Sequence, residues 1–333
     1  MLKVPTIRPG LYILVLLLSI PLGYGGYLRT QSVFACTADG YYATTGVYMA
    51  YCDAAGYGDY DHGGIWFGLE AEAAHLAASA DVLFLGSSRT QFAFSTDATD
   101  HWFSAAALSH YLLGFANNEN STFVAPLLGK LKPRAKVYVI NIDRFFTGIE
   151  TGDGSEILHE PDAEQHFKQK QLWQHLHRSL CTRLHAICGH QFAYFRSREH
   201  GHWITRGFNP RPPADVADGP VEDQEHWTEF GVRAQQFIAS LPVARGCVIL
   251  TVVPSSKTKM AEAQAVAGSV GLELVNPHLS GLRTFDGSHL DNESAERWSA
   301  AFYEIAGAQI RRCTESTGAT TVTAMSHSPQ SRL

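Results

Sequence analysis

Residues 82–90, VLFLGSSRT, join a short continuous apolar run to a glycine and two serines. The apolar run at 82–85 predicts a buried strand, and Gly86 permits a tight turn from that strand into a helix. A serine at such a turn lies at the start of the helix, where backbone N–H groups and the helix dipole favour a developing oxyanion. Because a serine hydroxyl is a weak nucleophile, the turn predicts a nucleophile whose base comes from another part of the chain.

On both sides of this turn, short apolar runs alternate with helical patterns. Such alternation predicts right-handed βαβ units around a mainly parallel sheet, with reactive groups gathered at the carboxyl ends of the strands. We therefore expect an α/β fold. The apolar runs and predicted strands lie at 82–85, 105–113, 136–142, 246–253 and 272–275, and the predicted helices at 68–79, 121–131, 163–180, 225–239, 259–268 and 292–310.

The base is predicted in the sequence FDGSHLD, residues 285–291, between the last strand and the last helix. A histidine there, His289, is expected at the same sheet edge as Ser88. Asp286, three residues earlier, can hydrogen-bond the other ring nitrogen and stabilise the imidazolium. The order serine, aspartate, histidine is one of several that the triad geometry permits. The alternative for Ser88 taken alone is a helix cap, the usual role of a serine at that position.

The composition excludes several classes of protein. The chain has 333 residues, a length that fits two domains or one α/β domain with a large insertion. It is 45% hydrophobic and 17% charged, which indicates a globular protein rather than a disordered, collagenous or coiled-coil one. The net charge is −6 and no run of like charge occurs, so we do not expect nucleic acid as a partner.

The segment at 11–28 contains no charged residue and is preceded by Lys3 and Arg8. Its length and flanking charges predict an export segment, with the rest of the chain in the periplasm or another extracytoplasmic space. A helix that stays anchored in the inner membrane is favoured over a cleaved signal peptide, and both readings stay open.

The six cysteines are expected to form disulfides in such an oxidising compartment. Cys36 with Cys52, and Cys247 with Cys313, are candidate pairs, although spacing alone does not fix the connectivity.

The chain is expected to divide into four parts. Residues 1–29 form the export signal or anchor, and 30–80 a loop-rich lead-in. Residues 81–313 form the α/β domain, interrupted at about 147–245 by a largely helical insertion that can shape a substrate cleft. The tail at 314–333, rich in Ser, Thr, Gly and Pro, is predicted to be disordered.

The Gly86-Ser87-Ser88-Arg89 turn and the Asp286-x-x-His289 sequence resemble the first and fifth blocks of the SGNH/GDSL hydrolase superfamily. The resemblance covers about residues 81–143 and 246–310 and implies a flavodoxin-like, three-layer α/β/α sandwich. Together with the export segment, the turn most resembles the bacterial cell-surface branch of that superfamily. This branch includes the D-alanine transfer protein of teichoic acids and the acetyltransferases of alginate and related exopolysaccharides.

The resemblance implies roles for individual residues. Ser88 matches the nucleophile, and Asp286 and His289 match the pair that activates it. The backbone N–H groups of Ser88 and Gly114 match two oxyanion donors, and Asn141 is the candidate for the third.

The chain also departs from the family pattern. The aspartate that usually precedes the nucleophile is Ser87 here. The third oxyanion donor has several candidates, and its loss would mean weak hydrolysis or a preference for transfer over water. Asn141 lies at the end of its strand, Asp143 is the alternative occupant of the place of the family asparagine, and Asn117, Asn118 and Asn120 follow Gly114.

Arg89 and Asn117 are candidate substrate-binding residues. For Arg89, an anionic substrate group competes with a structural ion pair, which is the commoner role. The 16 histidines show no H-E-x-x-H or comparable ligand spacing, so we expect neither metal nor cofactor. Aromatic residues of the insertion either form a sugar-stacking platform or pack in a core; they are Trp173, Trp203, Trp227 and Tyr194.

These expectations predict an exported serine esterase or O-acyltransferase. Its substrates would be acyl groups, chiefly acetyl, of cell-envelope or exopolysaccharide glycans, handled through an acyl-serine intermediate. For a transferase, the resemblance implies a membrane-bound acyltransferase partner that delivers the donor. The alternative is a catalytically degenerate member of the fold that binds glycan or assists assembly without turnover.

Overall fold

Two larger β-sheets organise the computed structural model, which describes residues 9–30, 33–43, 46–54, 56–206, 214–216 and 226–319. The strands in chain order are β1 (Val47–Cys52), β2 (Gly58–Asp59), β3 (Val82–Ser87), β4 (His110–Phe115), β5 (Val137–Asn141), β6 (Ala193–Ser197), β7 (Trp203–Arg206), β8 (Ala214–Asp215), β9 (Val248–Thr251), β10 (Leu274–Val275) and β11 (Arg283–Thr284). The helices are α1 (Pro9–Thr30), α2 (Gly40–Ala43), α3 (Asp61–Trp66), α4 (Ala71–Ser79), α5 (Ser88–Phe94), α6 (Asp97–Ala106), α7 (Ser121–Leu131), α8 (Gly152–His159), α9 (Ala163–Cys181), α10 (Trp227–Ser240), α11 (Met260–Ser269) and α12 (Asn292–Ala319).

The first sheet has the order β10-β9-β5-β3-β4, and every neighbouring pair in it is parallel. Alternate residues of β3 face opposite sides: Leu83 and Leu85 join one apolar cluster, and Val82 and Phe84 join another. Helices α4, α7, α10 and α11 contribute to the first cluster, and α5, α6 and α12 to the second. Helices therefore cover both faces, and the expected α/β class with a mainly parallel sheet is confirmed.

The second sheet is antiparallel, in the order β2-β1-β6-β7, and it corrects one expectation and extends another. The lead-in at 30–80 contains strand β1 as well as short helices, so it is not mainly loop. The insertion at 147–245, expected to be largely helical, contributes three helices and also the strands β6 and β7. Strand β1 is a continuous apolar run like the start of β3, but no adjoining helical pattern marks it off within its Gly-, Tyr- and Ala-rich surroundings, so it was missed.

A buried arginine joins the two sheets. Arg196 in β6 has no solvent exposure and forms an ion pair with Asp61 at the start of α3, with Nε 2.8 Å from Oδ1. Its other nitrogens donate to the carbonyl oxygens of Leu112 and Gly114 in β4. Arg196 is therefore one attachment of the antiparallel sheet to the β4 edge of the parallel sheet, beside the backbone hydrogen bond from Leu112 N–H to the His200 carbonyl at 2.9 Å.

The N-terminal apolar segment forms a helix as expected, whereas the C-terminal helix is longer than expected. Helix α1 is apolar, and the 19 residues at 9–27 are long enough to cross a membrane, a property that signal sequences share. Helix α12 continues to Ala319, beyond the start of the tail expected at 314, and residues 320–333 lie outside the described residues.

Three disulfides close loops in the described chain. Both candidate pairs, Cys36–Cys52 and Cys247–Cys313, are present. The third pair, Cys181–Cys188, joins the end of α9 to the segment that leads into β6 and was not predicted.

Candidate active site

Ser88 is the first residue of α5 and follows β3 directly. Gly86 has a φ of +151°, and a Cβ there would lie 2.1 Å from Oγ1 of Thr90, so the turn requires glycine. Ser87 caps the helix, because its hydroxyl accepts a hydrogen bond from the N–H of Arg89 at 3.4 Å. The capping role considered for Ser88 therefore belongs to Ser87, and the Ser88 hydroxyl is left for another partner.

The loop at 285–291 brings His289 against Ser88. Oγ of Ser88 lies 2.9 Å from Nε2 of His289, and Nδ1 of His289 lies 2.6 Å from Oδ2 of Asp286. Gly287, with a φ of +82°, permits the tight turn that folds Asp286 back onto the histidine. Residues from two motifs 201 positions apart are thus brought into one hydrogen-bonded chain.

The Asp286 carboxylate is held from two directions. Its Oδ1 accepts the backbone N–H groups of Ser288 and His289, both at 2.8 Å, while Oδ2 faces the imidazole. Burial alone raises the pKa of Asp286, but the hydrogen bonds and charge of His289 and the two backbone donors lower it to about 2. An ionised Asp286 favours the His289 tautomer with hydrogen on Nδ1, which directs the Nε2 lone pair at Ser88.

A cavity of about 210 Å³ opens beside these three residues, and most of its wall is aromatic. The ring of Tyr194 stacks on Tyr51 at a centroid distance of 5.0 Å and on Trp203 at 4.1 Å. The described residues that line the cavity are Tyr51, Ser88, Phe92, Ala116, Asn117, Phe192, Tyr194, Trp203, Phe285, Asp286 and His289.

Two of the expected oxyanion donors lie away from this lining. Gly114 lies within β4, paired with Gly86, and its carbonyl accepts the side-chain amide of Gln91 at 2.8 Å. Asn141 is buried at the end of β5, where its Oδ1 accepts the N–H of Val253 at 3.3 Å. These contacts use acceptor oxygens only, and Nδ2 of Asn141 has no hydrogen-bond partner among the described residues, so the oxyanion roles of both residues stay predictions.

The two candidate substrate-binding residues differ in their positions: among the described residues, Asn117 lines the cavity and Arg89 does not. The side chain of Asn117 donates to Oδ2 of Asp153 at 2.5 Å. Arg89 is 4% exposed, forms an ion pair with Asp143, and donates from Nε to Oγ of Ser288 at 3.2 Å. Arg89 therefore ties the end of β5 to the histidine loop, and substrate binding by Arg89 is replaced by structural pairing.

Several wall residues were not predicted from the sequence. Tyr51 reaches the cavity because β1 pairs with β6, a contact with no local signal. Phe92 could have been found, because it lies four residues after Ser88 and shares its face of α5. Of the four aromatic residues for which a platform and core packing were both open, Tyr194 and Trp203 line the cavity. Trp173 is buried in α9, and Trp227 begins α10, outside the described lining of the cavity.

Two groups of side chains that could bind a metal ion are already bonded or paired within the described residues. Cys181 and Cys188 are joined in a disulfide. His62 has Nδ1 3.0 Å from Asp59 and Nε2 3.2 Å from Glu119, so both ring nitrogens face carboxylates.

The arrangement at Ser88 is chemically competent for nucleophilic attack on an acyl carbonyl. A hydroxyl contacts an imidazole, the imidazole contacts a carboxylate, and the hydroxyl borders a cavity. Comparison of the chain with models of known protein families, with curated proteins and with solved structures finds no match.

Proposed function

We propose that this protein is an exported serine esterase or O-acyltransferase of the SGNH/GDSL type, acting on acyl groups of cell-envelope or exopolysaccharide glycans. The observation that carries the proposal is the continuous chain of contacts from Ser88 Oγ through His289 to Asp286. A catalytic serine needs an adjacent base such as His289, whereas a serine that only caps a helix does not need one.

In the proposed reaction, Nε2 of His289 takes the hydroxyl proton as Ser88 Oγ attacks the acyl carbonyl. Asp286 stabilises the resulting imidazolium, and the backbone N–H of Ser88 is a donor for the oxyanion. The tetrahedral intermediate then expels the alcohol, which leaves with the proton from His289. Water or a sugar hydroxyl, deprotonated by His289, attacks the acyl-serine and releases the acid or the new ester.

The cavity favours a small acyl ester attached to a ring. A volume of about 210 Å³ accommodates a short acyl chain more readily than a long one. Tyr51, Tyr194 and Trp203 line the cavity with apolar aromatic surface, of the kind that packs against a sugar ring. Tyr51 is the most exposed of the three, because Tyr194 and Trp203 are buried.

The fold and the chain termini support the cellular part of the proposal. A parallel sheet covered by helices on both faces, with Ser88 after β3 and His289 before α12, agrees with the three-layer sandwich of that superfamily. Helix α1 suits an inner-membrane anchor, and three disulfides suit an extracytoplasmic compartment. A membrane-bound acyltransferase partner supplies the donor if the reaction is transfer.

The test uses the full chain purified in detergent, treated with a fluorophosphonate probe and with p-nitrophenyl acetate. Ser88→Ala should abolish both labelling and acetate release. Ser87→Ala is the matched control, because it alters the neighbouring hydroxyl that caps the helix and should leave both activities in place. Labelling that survives in Ser88→Ala, or a folded wild-type chain that neither labels nor hydrolyses, would count against the proposal.

A second candidate, a non-catalytic glycan-binding or assembly protein, is favoured by one observation: Gly114 and Asn141 lie away from the cavity lining in the described chain. Such a protein would keep its cellular role in Ser88→Ala and His289→Ala. The enzyme would lose it in both.

A further inference from the structure

Two histidines and an aspartate meet where the antiparallel sheet contacts the parallel sheet, outside the candidate active site. Asp100 lies in the first turn of α6, His110 begins β4, and His202 lies in the turn between β6 and β7. The His110 side chain is 2% exposed and that of His202 12%, whereas Asp100 is 48% exposed. The cluster is therefore closed on the protein side and open to solvent on the aspartate side.

The three donor atoms converge on one point. Nε2 of His110 lies 3.2 Å from Nε2 of His202. Oδ1 of Asp100 lies 3.7 Å from the first nitrogen and 3.6 Å from the second. The oxygen is too far from either nitrogen to accept a hydrogen bond, yet it is nearly equidistant from both.

These separations are those of ligands around a shared metal ion. Zn²⁺ binds histidine nitrogen and carboxylate oxygen at about 2.0–2.2 Å, in tetrahedral geometry. Two ligands at that distance, separated by the tetrahedral angle, lie about 3.3–3.6 Å apart. The observed separations of 3.2, 3.6 and 3.7 Å agree with this to within a few tenths of an ångström.

The most buried ligand is held in place before any metal binds. The His110 ring stacks on Phe103 at a centroid distance of 4.2 Å and an interplanar angle of 17°. On the other side it stacks on His200 at 4.7 Å and 7°. A sandwiched ring loses little rotamer freedom on coordination, so the site is pre-organised.

We infer that Asp100, His110 and His202 bind Zn²⁺, with water in the fourth position on the exposed side. Two imidazoles and one carboxylate form a donor set that suits Zn²⁺ better than Ca²⁺ or Mg²⁺, which prefer oxygen. His202 precedes Trp203, whose ring lines the cavity. The ion therefore links the turn that contains His202 to α6 through Asp100 and to β4 through His110. This inference does not depend on the proposed catalytic function.

Two simpler roles compete with metal binding. The two imidazoles can share one N–H···N hydrogen bond. Separately, the negative charge of Asp100 can stabilise the positive end of the α6 dipole, because Asp100 lies in the first turn of that helix. Neither role needs Asp100 Oδ1 and the two Nε2 atoms to bind one ion together. Each therefore predicts that any Zn²⁺ bound by the chain is held equally well after Asp100 is replaced.

The experiment measures Zn²⁺ binding to the full chain in detergent, purified without a polyhistidine tag and stripped with a chelator. Isothermal titration with Zn²⁺ alone gives affinity and stoichiometry, and Co²⁺ substitution reports tetrahedral coordination through its visible absorption. We compare the wild type with His202→Ala and Asp100→Asn. The matched controls lie on the same exposed face of helix α6: His101→Ala for loss of an imidazole, and Asp97→Asn for loss of a carboxylate.

We expect one Zn²⁺ per chain in the wild type and in both controls. Because even the loss of an outer-shell partner weakens metal sites about 10–100-fold, loss of His202 should weaken binding by at least about 100-fold, and Asp100→Asn by at least about 10-fold. Absence of binding by the wild type would overturn the inference, as would equal binding by Asp100→Asn and Asp97→Asn. Asp100 is half exposed, so Asp100→Asn decides the question even if His202→Ala fails to fold.

Discussion

Replacing Asp286 by asparagine should reverse the tautomer of His289 while preserving the shape of the site. The two backbone N–H groups that bind Oδ1 at 2.8 Å dictate how an asparagine amide would lie. Its oxygen keeps these two bonds, so its NH₂ group faces Nδ1 of His289, 2.6 Å away in the wild type. That group donates, so Nδ1 must accept and the ring hydrogen moves to Nε2, which then cannot take the proton of Ser88.

The size of the effect follows from the same hydrogen bonds. Flipping the amide would restore the active tautomer but leave two backbone donors facing an NH₂ group, at about 1–3 kcal/mol each. The wrong tautomer is therefore favoured by about 2–6 kcal/mol, and the imidazolium also loses its counter-charge. Since about 1.4 kcal/mol is tenfold in rate, kcat should fall about 10³- to 10⁴-fold, close to the loss typical of such triads.

Steady-state hydrolysis of p-nitrophenyl acetate by the full chain in detergent gives kcat for Asp286→Asn and for Asp291→Asn. Asp291 lies in the same loop and accepts the N–H of Ser294 at 2.8 Å, a helix-capping role that asparagine fills equally well. Asp291→Asn should therefore stay within about twofold of the wild type. Nitrogen-15 NMR of the labelled histidine ring should show hydrogen on Nε2 in Asp286→Asn. Activity within tenfold of wild type, or hydrogen still on Nδ1, would refute the reasoning.

Three further outcomes are expected. Arg196→Met leaves the carboxylate of Asp61 buried without its guanidinium, so urea denaturation should show a loss of about 3–5 kcal/mol in the free energy of unfolding; a loss below about 1 kcal/mol would contradict the proposed attachment of the two sheets. Replacing both Cys247 and Cys313 by serine opens a loop of 66 residues, and loop-closure entropy predicts a loss of roughly 4 kcal/mol by the same measurement, with a loss near zero as the contrary result. The pKa of Asp286 falls on folding from 3.8 to about 2, so its stabilising contribution is present above about pH 4 and lost as the pH falls toward 2. The difference in unfolding free energy between wild type and Asp286→Asn should shrink over that range, and a difference that grows instead would reverse the sign assigned to the carboxylate.

Local patterns predicted most of the parallel sheet and the position of Ser88, although the apolar run at 105–113 begins in α6 and only its second half belongs to β4. The short apolar run before Gly86 corresponds to β3, and helix α7 spans the residues expected of it. The closeness of Ser88 and His289 followed from topology, because parallel strands deliver their carboxyl ends to one edge.

The antiparallel sheet could not be predicted in the same way. Strand β1 pairs with β6 across about 140 residues, and pairing over such a distance leaves no periodic trace in either segment. The oxyanion roles of Gly114 and Asn141 stay predictions, because the hydrogen bonds at these residues are accepted by their oxygens, whereas an oxyanion would use the Gly114 N–H and Asn141 Nδ2. Nδ2 of Asn141 has no hydrogen-bond partner among the described residues, and its distance from a bound substrate depends on how the strand ends are placed, which no local pattern records.

In the proposed enzyme, the division of the cavity between the two sheets would separate reactivity from selectivity. Ser88, His289 and Asp286 come from the turn after β3 and the loop before α12, whereas Tyr51, Tyr194 and Trp203 come from the antiparallel sheet. Substitutions in that second sheet can reshape what the pocket accepts without moving the hydroxyl, the imidazole or the carboxylate. If the proposed function holds, substrate preference can therefore change, by evolution or by design, through side chains that take no part in the proposed proton transfer.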